Sequence, residues 1–150
     1  MLQFETFDDI LDFAIVQEKA AQKFYGKLSD EAESPQMAMF YRTLEQEERV
    51  HEEKLQELRS AETELPAPDL TDLEKSGYLK ALPLHAGMSL KEVYQYAMKK
   101  ERSAKMLYSV LAGNMPRKEL ADLFEKLAAE EAQHAEFFRK EYETIPAEAD

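Results

Sequence analysis

Apolar residues recur along this chain at alternating spacings of three and four, in four separate runs. Phe7, Leu11, Ala14, Ala21, Tyr25, Leu28 and Ala32 form the first, and Met37, Tyr41, Leu44, Leu55 and Leu58 the second. Leu90, Tyr94, Ala97, Ala104, Tyr108 and Leu111 form the third, and Leu120, Phe124, Leu127 and Phe138 the fourth. This spacing gives a helix one apolar stripe to turn toward its partners, so each run predicts a long amphipathic helix. Local signals set the ends. Thr6 is an N-cap with Asp8 and Asp9 in the positively polarised first turn, which predicts a helix over about 6–32. Ser34-Pro35 pairs an N-cap with proline at the first helical position and opens a second helix over about 35–60. Ser89-Leu90-Lys91-Glu92 is a capping box opening a third over about 89–112, which stops at Gly113-Asn114. A fourth runs from near Pro116 to about 142, before Pro146. The expectation is an all-α chain of one domain, residues 1–150.

Ionisable residues interrupt each stripe where leucine would be expected: Glu18 in the first, Glu48 and His51 in the second, Glu101 in the third, Glu131 and His134 in the fourth. Burying an unpaired carboxylate costs several kcal/mol, so these positions call for a counter-charge. The two halves of the chain are also one unit written twice. Adding 83 carries Thr6 to Ser89, Glu18 to Glu101, Ala21 to Ala104, Tyr25 to Tyr108, Leu44 to Leu127, Glu48 to Glu131 and His51 to His134 without a gap. Glu18 lies 15 to 16 residues before the turn near residues 33 and 34, and the Glu48/His51 pair about 16 after it. An antiparallel hairpin therefore brings the three to one level, the second hairpin does the same, and a pseudo-two-fold axis would bring all six together.

Residues 61–88 break the pattern with Pro66, Pro68, Gly77, Pro83 and Gly87, around a short helical candidate from Asp69 to Leu82. At about 3.3 Å per residue this connection could run the ~40 Å length of a helix, making it a long crossover between the second and third helices. It could equally reach a second subunit, which raises a homodimer with exchanged hairpins.

Charge and composition narrow the function. With 31 acidic and 19 basic residues the net charge is −12, which disfavours nucleic acid and favours small cations and basic partners. The chain contains no cysteine, which removes disulfides, thiolate catalysis and Fe–S centres, so electrons would have to come from an external donor. The first five residues lack the pattern of a secretory signal and no window reaches a membrane span, so a cytoplasmic protein away from membranes is the expectation.

Four Glu and two His at one level of a four-helix bundle form the donor set of a di-iron or di-manganese carboxylate centre. Four carboxylates balance two divalent ions, and mixed N and O donors without sulfur favour Fe, with Mn or Zn as substitutes. In this arrangement Glu48 and Glu131 bridge the metals, Glu18 and Glu101 bind terminally, and His51 and His134 hold one each. Tyr25 and Tyr108, two turns beyond Glu18 and Glu101, either donate hydrogen bonds to ligand carboxylates or pack as core aromatics. Glu47 and Glu130 either orient a histidine ring or face solvent, and His85 is expected to be structural or exposed.

At these residues the chain resembles the ferritin-like superfamily, and within it the rubrerythrin-like di-iron proteins. The resemblance covers all four helices. It implies a ferritin-like four-helix bundle whose iron pair reduces hydrogen peroxide or dioxygen, without the Cys-ligated rubredoxin domain of longer members. Many rubrerythrins place a further Glu one turn after the ligand of the third helix; here that position is Ala104. The donor set is thus more symmetric, as in bacterioferritins. A ferroxidase that stores or delivers iron is the alternative, although the chain ends soon after the fourth helix, without room for a fifth. A purely structural metal site is the third reading.

Overall fold

The computed structural model describes residues 4–61, 63–80, 82 and 84–146. It contains α1 (Phe7–Glu31), α2 (Pro35–Ser60), α3 (Thr71–Lys75), α4 (Leu90–Asn114) and α5 (Lys118–Thr144). Among the described residues the only extended pairing is a single antiparallel bridge between Thr6 and Pro66, and no helix is long and apolar enough to cross a membrane. The chain divides into two compact units, one ending at Ala67 and the other beginning at Pro68. Each is built on one antiparallel hairpin, α1 with α2 and α4 with α5.

The first hairpin begins with a reciprocal cap. Thr6 Oγ1 accepts from the Asp9 N–H at 3.2 Å, and the Asp9 carboxylate accepts from the Thr6 N–H at 3.1 Å. These bonds satisfy donors that the first helical turn would otherwise leave open. Ser34 Oγ does the same for the Met37 N–H at 3.1 Å, with Pro35 as the first helical residue. Buried Phe7, Ile10, Leu11 and Leu55 form the core at the open end of the hairpin, each such side chain contributing about 1.5–3 kcal/mol. Polar ties then link the two helices along their length. Arg59 holds Asp12 at 2.8 Å and Asp8 at 3.2 Å, Arg42 holds Asp30 at 3.2 Å, and Ser29 Oγ donates to the Ala38 carbonyl at 2.8 Å. Between them the Glu45 carboxylate lies over Gly26, where a Cβ would come within 2.7 Å of Oε2.

The start of the crossover runs back along the start of α1, where the Phe7 N–H donates to the Leu65 carbonyl at 3.0 Å. Holding this path places Glu64 at φ 57, in the left-handed region that glycine occupies without penalty. Glu64→Gly is therefore expected to stabilise the metal-free chain by about 0.5–1 kcal/mol, net of glycine's greater entropy loss. A higher urea midpoint is the predicted result, and a lower one contradicts it. Farther along, the helix expected over 69–82 is shorter. It ends at Lys75 because Gly77, at φ 82, closes a Schellman motif in which the Tyr78 N–H bonds the Leu73 carbonyl at 3.0 Å. Ala81 of that stretch, Glu62 and Pro83 elsewhere in the crossover, and residues 1–3 and 147–150 at the chain ends lie outside the described residues.

In the second unit Ser89 caps α4 through the Glu92 N–H at 3.2 Å, as the capping box predicts. The helix passes through Gly113 to Asn114, whose Nδ2 donates back to the Val110 carbonyl at 2.7 Å. Met115 is extended, the conformation a following proline favours, so Pro116 belongs to the connection and α5 starts at Lys118. Tyr94 packs on Phe138 with ring centroids 5.4 Å apart, and Tyr108 stacks on Phe124 at 6.1 Å.

Candidate metal centre

Helix register decides which ionisable groups meet. Glu48 and His51 are three residues apart on α2 and share its inward face, while Glu18 occupies the facing stripe of α1. The three side chains are 1%, 1% and 2% exposed for Glu48, His51 and Glu18. His51 Nδ1 lies 3.0 Å from Glu18 Oε2 and 3.3 Å from Glu48 Oε1. The second hairpin repeats this arrangement. Glu101 and Glu131 are each 1% exposed and His134 is 4% exposed, with His134 Nδ1 3.1 Å from Glu101 Oε2 and 3.5 Å from Glu131 Oε1. Within each trio, one donor atom from every residue lies within 4.8 Å of the others.

Both trios fit a metal ion by the chemistry of their donors. Bonds of about 2.1 Å from N and O donors to one divalent ion place neighbouring donor atoms about 3 Å apart, and the observed His-to-carboxylate spacings are 3.0 to 3.5 Å. The donors are sulfur-free and carry two negative charges per trio, which suits iron or manganese in a buried position. In both hairpins it is Nδ1 that faces the carboxylates.

In the metal-free protein the imidazole has to neutralise the carboxylates itself. Burial works to lower the pKa of His51, but the hydrogen bonds and negative charges of Glu18 and Glu48 outweigh it and raise the pKa from 6.5 to about 10. Because the folded-state value lies above the unfolded one, this ion pair contributes fully below pH about 6.5 and its contribution is lost as pH rises through about 10. Chelator-treated protein is accordingly expected to melt at a lower temperature at pH 10 than at pH 7, with a smaller difference in His51→Gln. A metal-free melting temperature that holds level across this window, or an undiminished difference in the variant, contradicts the assignment.

The remaining candidates are placed as follows. Tyr25 and Tyr108 are both buried, Tyr25 against Phe24 with centroids 5.3 Å apart and Tyr108 against Phe124. Glu47 and Glu130 are half-buried. His85 is exposed, its Nδ1 2.9 Å from the Ala86 carbonyl oxygen. One further pair beside the first trio does not stand out in the stripe pattern. Gln22 Nε2, one turn after Glu18, donates to Glu52 Oε1, one turn after Glu48, at 2.8 Å. Its mark in the sequence is a polar residue four positions after a buried stripe glutamate on each helix of one hairpin.

A family model for rubrerythrin matches residues 9–88 and 92–150. Among solved structures the chain is similar to an uncharacterised conserved protein from Magnetospirillum magnetotacticum MS-1, with 24% sequence identity and a TM-score of 0.67, covering 97% of this chain and 99% of that one. Such a likeness speaks for the fold, and it agrees with the all-α, ferritin-like class expected from the two hairpins. No curated protein matches the chain. The match spans both hairpins and all six buried donors, and the chain belongs to the rubrerythrin family.

Proposed function

We propose that Glu18, Glu48 and His51 join Glu101, Glu131 and His134 around two iron ions, and that the protein is an oxidoreductase reducing hydrogen peroxide or dioxygen. The observation that carries this reading is the same buried Glu, Glu-x-x-His trio on both hairpins. One trio supplies two carboxylates, so the two together would neutralise two divalent ions, and Glu48 and Glu131 would be the residues shared between them. The hairpins can combine within one chain or be exchanged in a homodimer, and either assembly completes one six-donor set per chain. A bound iron pair supplies two electrons and Lewis acidity, and an external donor must restore the electrons, because the chain has no cysteine and so no Fe–S relay of its own.

The protein's own contribution is positioning and exclusion. Leu55 on α2 and Phe138 on α5, each one turn beyond a ligating histidine, are fully buried and keep bulk water from the donors. The four carboxylates would balance the charge of a ferrous pair, and the histidines would bind as neutral rings. Mn would fit the same donors, and Zn would fit them without supplying redox chemistry.

Hydrogen peroxide accepts two electrons and two protons to give two waters, which matches one ferrous pair. The anaerobically loaded protein is therefore expected to be oxidised faster by peroxide than by dioxygen in stopped-flow absorbance, with its iron retained and reducible again. A second reading rests on Ala104, which stands one turn after Glu101 where a further carboxylate would break the symmetry of the donors. It favours a ferroxidase that stores or delivers iron. Faster oxidation by dioxygen, followed by accumulation of many ferric ions per chain, would support that reading and overturn the first.

A further inference from the structure

We propose that the two metal positions are inequivalent, and that Gln22 and Glu52 are the positioning residues that make the position on the first hairpin the tighter of the two. This rests on the dinuclear reading above and deepens it. Gln22 follows Glu18 by four residues and Glu52 follows Glu48 by four, so each lies one turn along and about 40° around its helix from a ligand. Their hydrogen bond, Nε2 to Oε1 at 2.8 Å, crosses from α1 to α2 at the level of the trio. Both partners are held at their other ends. Gln56 Nε2 donates to Glu52 Oε2 at 3.3 Å, and Arg49 Nε donates to Gln22 Oε1 at 3.4 Å. The clamp thus fixes the relative height and rotation of the two turns that carry Glu18, Glu48 and His51.

The second hairpin is built differently at this level. The residues 83 positions on from Gln22, Arg49, Glu52 and Gln56 are Lys105, Ala132, Ala135 and Arg139. An alanine side chain has nothing to bond with, and Arg139 bonds Glu136 and Glu143 on its own helix, each at 2.7 Å. Toward the open end, by contrast, both hairpins are tied at matching positions. Asp12 meets Arg59 at 2.8 Å in the first, and Gln95 Nε2 donates to Tyr142 Oη at 3.1 Å in the second. The halves therefore differ at the ligand level in particular, and His134 is the more exposed imidazole, 4% against 1% for His51. Donors already fixed in the binding arrangement lose less entropy when the ion arrives, so the clamped trio binds first and releases last.

The test is an anaerobic titration of the full-length, metal-free chain with Co(II), followed by its visible absorption and by calorimetry. Two steps are expected, the first tighter by about tenfold or more, the scale that hydrogen-bonded partners of metal ligands command. Glu52→Ala is expected to weaken the first step several-fold more than the second, whereas Lys105→Gln with Ala135→Glu installs the clamp on α4 and α5 and tightens the second. A merely structural role for Glu52 would weaken both steps alike, and that result overturns the proposal, as do two equal steps in the unaltered protein. If Glu52→Ala fails to fold, the double variant decides: an unchanged second step overturns the proposal. Fewer than two Co(II) bound by the unaltered chain would instead overturn the dinuclear reading itself.

Discussion

Alanine in place of Glu48 or Glu131 is expected to lower bound iron from two ions per chain to one or none, while His85→Ala retains two. Each glutamate belongs to a trio in which a single imidazole nitrogen lies 3.0 to 3.5 Å from two carboxylates. Removing one carboxylate leaves two donors and half the negative charge in a site that is almost sealed from water. The ion must then be held with an unbalanced charge in low dielectric, where water cannot substitute for the missing donor at little cost. If Glu48 and Glu131 are shared as proposed, each substitution would loosen the second ion along with the first. His85 is exposed and bonds its neighbour's carbonyl oxygen, and its loss touches none of the six donors. Metal analysis after desalting checks this, and equal metal content in the glutamate and His85 variants contradicts it.

The second large effect is on stability. Saturating Fe(II) or Mn(II) is expected to raise the melting temperature of the chelated protein by about 10 °C. A ligand present at a thousandfold excess over its dissociation constant stabilises the state that binds it by about 4 kcal/mol, and a chain of this length gains roughly 2–4 °C per kcal/mol. The physical source is the group of buried carboxylates. Without metal they must protonate or rely on the two imidazoles for counter-charge, and with metal their charges are neutralised. Thermal melts by circular dichroism, with chelator and then with each ion, decide the matter, and a shift smaller than about 1 °C contradicts the expected coupling of binding to folding.

The residues that made the fold legible were those with a local mechanism. Thr6, Ser34-Pro35 and the Ser89 to Glu92 box each satisfy helix-end donors through short-range bonds, and all of them sit where the spacing of polar residues implied. The trios were legible for a similar reason: a carboxylate or imidazole on an apolar stripe conflicts with its surroundings unless something compensates it, and the 83-residue repeat shows the conflict twice. Features set by tertiary geometry were harder to read. The crossover helix stops at Lys75 because Gly77 adopts a left-handed conformation, which a glycine permits but does not demand. Pro116 looked like a helix start, yet its restriction on Met115 separates α4 from α5 and delays α5 to Lys118. The Gln22 to Glu52 clamp lay hidden because Glu, Gln and Arg crowd the outer faces of α1 and α2. Only the facing of the two helices distinguishes Glu52 from Glu53 beside it.

The central claim is that two trios from two hairpins enclose a pair of metal ions. X-ray absorption at the iron edge of the loaded protein tests it most directly, because a neighbouring iron scatters far more strongly than nitrogen or oxygen. The predicted result is a shell of N and O donors at about 2.1 Å together with an iron neighbour within about 4 Å, as in two-metal sites generally. An N and O shell with no iron neighbour, at a content of one ion per chain or at two, would mean that the trios bind separately and would contradict the account.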